Sequence, residues 1–278
     1  MVIDRIKAGS SRMHRVFLTL VLGLAWAPIV PAVDGAASAK ATADSFGVDE
    51  PISIELTLTG VWGLDGYVIT VDPAGKNPPM GLYMSGEAGF GSPIIRGWDR
   101  MRPLRHMVLL NKWVTLDRPG RYTVTIDSLV GVKRYITSVP ITIVERDDAR
   151  LQQACALWGE RANGRSLEKV EDPQARAGYT LFGPASAQRY AQIVLMYLQD
   201  ESLIPCLLQS ASKVNLAPAM AFREMDSIAG VHALHQLMQS PITELSAEAR
   251  KRLEQLKERT TKKNVRKAVA DALTTTAQ

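Results

Sequence analysis

Cysteine is scarce in this 278-residue chain, which contains only Cys155 and Cys206. Two cysteines are too few for a disulfide-rich scaffold. They form no CxxC pair, which excludes a thioredoxin-like motif and a cysteine-rich zinc site. Both lie in apolar, helix-like stretches. The sequence therefore leaves two outcomes open: one disulfide, if the chain reaches an oxidising compartment, or two buried free thiols.

The chain also lacks the short motifs of common active sites. The glycine-rich stretch 86–91 has neither the GxGxxG spacing nor a flanking βαβ unit, and no P-loop is present. Ser85 is not preceded by the glycine of a nucleophile elbow. His232 and His235 share a helix face but do not form HExxH, and a metal site with Glu224 or Asp226 is the minor alternative. We expect no catalytic residue, no cofactor and no metal, and we favour a protein that is not an enzyme.

Charge of one sign is not in large excess. The chain has 33 Lys and Arg against 28 Asp and Glu, a net charge of +5. A nucleic-acid-binding protein concentrates more positive charge on one element, so we expect no nucleic-acid partner. The segment 246–278 holds nine Lys or Arg against four Asp or Glu. We interpret it as a capping helix with a solvated basic face; the alternative is attachment to an anionic membrane surface or an acidic polymer.

No apolar run reaches the roughly 20 residues that a membrane-spanning helix needs. A shorter apolar run over 16–30 follows a polar, net positive start and precedes Ala37, Ser38 and Ala39. This order is typical of a secretory signal peptide. We predict a signal peptide at 1–39, a flexible lead-in at 40–50, and a periplasmic or extracellular protein. The alternative is an uncleaved N-terminal anchor, which would be the only contact with a membrane.

The residues at 51–146 show the patterns of β-structure. Residues 52–59 alternate apolar and polar, which predicts a half-buried strand. Further strands are predicted at 67–71, 107–116, 122–126 and 139–143, and Pro119-Gly120 is a turn. Residues 72–103 are rich in Gly and Pro and are predicted to be long loops. Several short strands with turns between them predict a β-sandwich.

The segment 110–124 resembles the late strand pair of immunoglobulin-like and fibronectin-like domains. In those domains a turn with glycine leads into a strand that opens with a tyrosine, whose hydroxyl bonds to the upstream backbone. The resemblance implies this role for Tyr122. The segment is also similar to one in uncharacterised secreted proteins of soil bacteria, in which an Ig-like domain precedes HEAT-like α-helical repeats. That resemblance implies no activity and no functional residue.

From 147 to 278 the apolar period becomes helical, as in Leu151, Cys155 and Trp158. An internal sequence similarity at an offset of 46 residues relates a block at 175–191 to a block at 221–237. This period lies in the range of HEAT-type repeats, and an irregular helical bundle is the alternative. The predicted fold class is therefore α+β and multidomain, with an N-terminal Ig-like β-sandwich followed by an all-α, HEAT-like domain.

The candidate binding residues are aromatic and basic side chains in the loop-rich stretch. They are Trp62, Tyr83, Arg96, Trp98 and Arg100. Aromatic side chains on such loops can anchor a protein or stack on sugars. They can equally cover the core.

The function that we favour is non-catalytic protein interaction or scaffolding in the bacterial cell envelope. A helical face would hold a protein partner, and the sandwich would act as a spacer or a second binding surface. One alternative is an envelope hydrolase with its site in the 72–106 loops, where Asp99 and His106 are the acid–base candidates. Another is a carbohydrate-binding module that holds a polysaccharide with the loop aromatics. The favoured function rests on fold-level analogy.

Overall fold

The computed structural model describes residues 35–61, 63–76, 103–165 and 184–275. In this part of the chain, strands occupy the N-terminal half and seven α-helices occupy the C-terminal half. We call these halves the β part and the helical part. Both belong to one compact unit that begins at Gly35.

The seven described strands form two sheets. The three-stranded sheet has the order β1-β3-β5 and is antiparallel. The four-stranded sheet has the order β2-β7-β6-β4, with β2 parallel to β7 and the other pairs antiparallel. The strands are β1 Ala36–Ala41, β2 Phe46–Gly47, β3 Ser53–Thr59, β4 Gly66–Asp72, β5 Leu104–Leu109, β6 Gly120–Val130 and β7 Lys133–Val144.

The two sheets enclose one apolar core. The alternation predicted over 52–59 is present in β3, where Ile54, Leu56 and Leu58 are fully buried. Across the core, Val124 and Ile126 of β6 are also fully buried. Because successive side chains of a strand point to opposite faces, this alternation buries one face of each strand and leaves the other outside. Removal of these side chains from water is the main stabilising contribution.

Tyr122 has the role that the sequence resemblance implied. It opens the buried face of β6, two residues after Gly120, and its hydroxyl donates a 2.9 Å hydrogen bond to the carbonyl oxygen of Arg118. The bond fixes the turn that leads into β6.

β5 is shorter than the strand predicted over 107–116. It ends at Leu109, and a 3-10 turn follows at Leu110–Lys112. The side chain of Asn111 accepts a 2.6 Å hydrogen bond from the backbone of Ile52 and donates a 3.0 Å bond to the carbonyl of Glu50. These bonds tie the chain to the loop before β3, so it turns away from the path of the strand.

The lead-in predicted to be flexible contains regular structure. Lys40 and Ala41 are the last residues of β1, and Phe46–Gly47 form β2. β1 pairs with β3 along its whole length, so Ala39, after which cleavage is predicted, lies opposite Leu56 within a strand. The small side chains on one side of β1 pack against the core. The position of cleavage stays a prediction.

The helical part contains helices of very different length. They are α1 Asp148–Ala162, α2 Pro184–Met196, α3 Ile204–Ser210, α4 Ala217–Met225, α5 Ile228–Met238, α6 Thr243–Arg259 and α7 Lys263–Thr275. The side chain of Asp147 caps α1 by accepting hydrogen bonds from the backbone of Ala149 and Arg150. Leu203, Phe222 and other apolar side chains form a second core. None of the described helices is both long enough and apolar enough to cross a membrane.

A disulfide joins Cys155 of α1 to Cys206 of α3. It decides between the two outcomes that the sequence left open. Such a bond is typical of proteins that fold in an oxidising compartment.

The internal similarity is described in full only in its second block, because of the first block only 184–191 is described, in α2. The second block forms α4 and α5, whereas the matching positions 175–183 lie outside the described residues. The HEAT-like repeat therefore stays a prediction, and the structure shows an α-helical region after a β region.

Candidate functional site

The candidate binding residues predicted from the sequence all lie outside the described residues. They are Trp62, Tyr83, Arg96, Trp98 and Arg100, and Asp99 lies there as well. The binding role predicted for the loop aromatics therefore stays a prediction. Of the two acid–base candidates, only His106 is described.

One surface of the β part exposes apolar side chains in register. Paired strands place directly opposed side chains on the same face of a sheet. The side chains of β4, β6 and β7 that point away from the core therefore form rows, and we call this surface the outer face. Two of its rows consist of Val68, Asp127 and Ile136, and of Thr70, Thr125 and Ser138. Val68 is 58% exposed and Ile136 is 65% exposed.

The polar groups of the outer face bond to one another. The guanidinium of Arg134 donates a 3.1 Å hydrogen bond to Asp127 and lowers the pKa of that carboxyl. The hydroxyls of Thr125 and Ser138 lie 2.9 Å apart. The outer face therefore presents exposed apolar side chains beside one ion pair and one pair of hydroxyls whose members bond to each other.

His106 is half-buried in the β part. It points inward from β5, opposite Leu56, and its Nε2 lies 3.3 Å from the hydroxyl of Tyr67. The ring of Tyr67 also contacts that of Trp113, with 5.7 Å between centroids. Burial, with the nearby ammonium of Lys112 adding to it, lowers the pKa of His106 to about 4. The imidazole is therefore neutral at pH 7 and already has a hydrogen-bond partner.

An open cleft of about 490 Å³ lies in the helical part. Asp226 ends α4 in the left-handed region at φ 44°, and Ser227 caps α5 by accepting a hydrogen bond from Gly230. The ammonium of Lys262 donates a 2.7 Å bond to the carbonyl of Asp226. The other lining side chains include Glu201, His232 and Asn264. The cleft can therefore hydrogen-bond a small polar group, with acidic and basic side chains both present.

Glu224 is paired with two arginines and does not reach towards the histidines. Its buried carboxylate accepts hydrogen bonds from Arg223 of the same helix and, at 2.6 Å, from Arg259 of α6. His235 is near Gln239, and the imidazole of His232 is exposed. Within the described ranges, no group of three His, Cys, Asp or Glu side chains is placed to hold a metal ion.

The β part and the helical part meet through charged side chains around Arg146. Its guanidinium contacts Asp49 before β3, Asp148 at the start of α1 and Asp200 after α2, at 2.8, 2.6 and 2.6 Å. We call these four residues the Arg146 clasp. The hydrogen bonds from Arg146 lower the pKa of Asp200 to about 2, and those that it donates to Asp200 and Asp148 raise its own pKa.

Two further contacts support the same junction. Arg150 of α1 donates a 2.9 Å hydrogen bond to the buried carboxylate of Glu50. The hydroxyl of Tyr190 in α2 donates a 2.7 Å bond to Ser53 of β3, and its ring contacts that of Trp158. Burial raises the pKa of Tyr190, so its hydroxyl stays protonated and able to donate.

Sequence reasoning missed both the outer face and the clasp. The alternation that revealed β3 is weaker in β7, but Tyr135 and Ile136 are adjacent apolar residues in one strand. Such neighbours point to opposite faces, so one of them has to lie outside; this signal could have located the outer face. The clasp joins Arg146 to residues 97 and 54 positions away, and no local pattern marks such a contact.

Comparisons with known proteins give little further help. No protein-family model matches the chain, and no curated protein matches it. Among solved structures, the crystal structure of BslA, a bacterial hydrophobin, is similar at 18% identity. The match covers 42% of this chain and 98% of that chain, with a TM-score of 0.20. A score this low carries no argument about fold or function.

Proposed function

We propose that this protein is a non-catalytic interaction protein of the bacterial cell envelope that holds a protein partner on its outer face. The observation that carries the proposal is the placement of exposed apolar side chains. Of the six large apolar side chains that are exposed in the described residues, Val68 of β4 and Ile136 of β7 lie on the outer face, and Val132 lies in the turn before β7. Exposed apolar side chains on one sheet face are the feature from which we infer an interaction surface.

A protein partner fits this surface better than a small molecule. The outer face is a sheet surface, whereas small ligands prefer concave sites. Because Asp127 and the hydroxyl pair already have partners, covering these four side chains leaves none of them unpaired. The partner that this surface fits is a protein with a flat, mainly apolar patch. This proposal places the partner on the β part, whereas the sequence led us to expect it on a helical face.

We also propose that the β part is an Ig-like sandwich. Three features support this assignment. The first strand segment, β1, pairs with β3, and the next, β2, moves to the other sheet and runs parallel to β7. β6 and β7 are neighbours in the four-stranded sheet. Tyr122 bonds back to the turn before β6, as the corner tyrosine of such domains does.

The location in the envelope is supported by the disulfide. A bond between Cys155 and Cys206 persists where the surroundings are oxidising, as in the periplasm or outside the cell. The signal-peptide pattern over 1–39 predicts export to such a compartment.

The environment of His106 weakens the hydrolase alternative, because His106 is the acid–base candidate that lies in the described residues. A general base needs a pKa near the working pH and access to the substrate. His106 has a pKa of about 4, lies within the β part and contacts Tyr67. The carbohydrate-binding alternative rests on aromatic loop residues outside the described part and stays a prediction.

The test is a crosslinked pull-down from the envelope fraction of the producing cell, with matched variants as bait. In the first bait Val68→Asp and Ile136→Asp place charge on the outer face. In the control bait Leu157→Asp and Val214→Asp change two exposed apolar residues of the helical part. We expect a stoichiometric partner that is lost only with the first bait. Equal recovery with both baits, or no partner with the unaltered chain, would reject the proposal.

A further inference from the structure

The joint between α6 and α7 concentrates positive charge. Residues 257–267 contain six Lys or Arg and a single carboxylate, Glu258. The sequence shows this excess but does not show which of the cations already have partners. The structure separates the paired cations from the unpaired ones.

Three of the six cations stabilise the fold. Arg259 pairs with the buried Glu224, Lys262 bonds to Asp226, and Arg266 donates a 2.6 Å hydrogen bond to the carbonyl of Thr260. Their charges are partly neutralised or bound to the backbone, and changing them would disturb the packing of α4 against α6.

The other three are lysines without such a role. Lys257, Lys263 and Lys267 are exposed, and within the described ranges none of them forms an ion pair. Lys263 and Lys267 are four residues apart on α7 and therefore share one face. The six residues from Lys257 to Lys263 can span at most about 22 Å. All three lysines therefore flank the joint between α6 and α7, and we call this set the lysine patch.

The apolar sides of both helices are already covered. Leu253 and Leu256 of α6, and Val265 and Val269 of α7, are buried in the helical core. They cannot enter a bilayer unless both helices leave the helical core, so the patch lacks the apolar half of a membrane-surface helix. A soluble polyanion needs only the charges.

The residue type narrows the ligand further. An arginine fork recognises one carboxylate or phosphate in fixed geometry, whereas a lysine is a mobile point charge on a flexible stem. Three lysines without arginine suit anionic groups repeated along a chain. We propose that the lysine patch binds an acidic polysaccharide through its carboxylates. The proposal rests on the envelope location proposed above, but not on the outer face.

The test measures binding to immobilised polygalacturonate by surface plasmon resonance, with neutral dextran as the blank. The patch variant is Lys257→Gln, Lys263→Gln and Lys267→Gln. The control variant is Lys40→Gln, Arg121→Gln and Lys133→Gln, which removes the same charge from exposed residues of the β part that form no ion pair in the described ranges. Urea unfolding of both variants checks that each is folded.

We expect the patch variant to bind at least about 10-fold more weakly and the control to stay within about twofold, because each ammonium contact releases condensed counterions. Binding should also weaken steeply with added salt. Equal weakening in both variants would mean unspecific charge attraction, and no binding by the unaltered chain would also overturn the proposal. A third overturning result is binding to phosphatidylglycerol vesicles without binding to polygalacturonate, which would identify a membrane instead.

The same variants separate this proposal from the proposed function. The patch variant should keep its protein partner in the pull-down, and the variant with Val68→Asp and Ile136→Asp should keep its affinity for polygalacturonate. Failure of one binding activity therefore does not imply failure of the other.

Discussion

Replacing Arg146 by glutamine should lower the free energy of unfolding and should do so in a pH-dependent way. Glutamine keeps most of the stem but removes the charge that three carboxylates share. Asp200 is the most buried of the three, at 26% side-chain exposure, while Asp49 and Asp148 are more exposed. The loss of unfolding free energy in Arg146→Gln therefore depends mainly on Asp200.

The pKa of Asp200 is lowered from 3.8 to about 2. A difference of this size in pKa corresponds to about 2.4 kcal/mol of stabilisation of the folded state. Screening of the charges by solvent reduces this stabilisation to about 1–1.5 kcal/mol. The two exposed pairs each add about 0.5 kcal/mol or less. We expect Arg146→Gln to cost about 2 kcal/mol at pH 7.

The sign of the pH dependence follows from the lowered pKa. A carboxyl whose pKa is depressed in the folded state contributes its full stability above the unfolded value near 3.8 and loses it as the pH falls towards 2. At pH 3 about half of the contribution from Asp200 is lost. The difference between the unaltered chain and Arg146→Gln should therefore narrow between pH 5 and pH 3.

The assay is urea unfolding at pH 7, 5 and 3, followed by circular dichroism. Arg121→Gln is the control, since Arg121 is exposed on β6 and forms no ion pair in the described ranges; its cost should stay within about 0.5 kcal/mol. If Arg146→Gln and Arg121→Gln unfold at the same urea concentration at pH 7, the clasp does not stabilise the junction and the reasoning fails.

Three other changes test separate parts of the fold. Tyr122→Phe removes the bond to the carbonyl before β6 and should cost about 1 kcal/mol in urea unfolding; no loss would mean that the turn holds without it. The Cys155–Cys206 bond closes a loop with a sequence separation of 51 and so restricts the unfolded chain; reducing it should cost about 4 kcal/mol. The urea midpoint should fall with dithiothreitol, and an unchanged midpoint would mean that the bond does not stabilise the fold in this way. Glu224→Gln leaves the guanidinium groups of Arg223 and Arg259 without their carboxylate and should cost about 3 kcal/mol by thermal unfolding. The control Glu258→Gln should be near neutral. Similar costs for the two variants would contradict a stabilising role of the buried pair.

The sequence predicts those elements that are marked by a pattern of residues close together in the chain. β3 follows from perfect alternation, since each apolar residue of 52–59 falls on one face. The Tyr122 bond follows from a short resemblance, because the turn and its tyrosine are four residues apart. The start of α1 follows from the change of period after Arg146.

Other features depend on contacts that are distant in the chain. β1 consists mostly of alanine, which has low strand propensity, and it forms because β3 offers an open edge beside it. β5 ends early because Asn111 bonds to the loop before β3. The outer face exists only once β4, β6 and β7 are paired in register. The sequence contains these residues but does not show which of them contact one another in the fold.

Binding of a protein partner to the outer face is tested most directly by a photocrosslink from this face in the producing cell. A photoreactive amino acid replaces Ile136, which is 65% exposed on β7, and in a parallel strain it replaces Val214, which is 56% exposed in the helical part. We expect one discrete adduct with an envelope protein from position 136 and none from position 214. No adduct from position 136, or the same adduct from both positions, would contradict it.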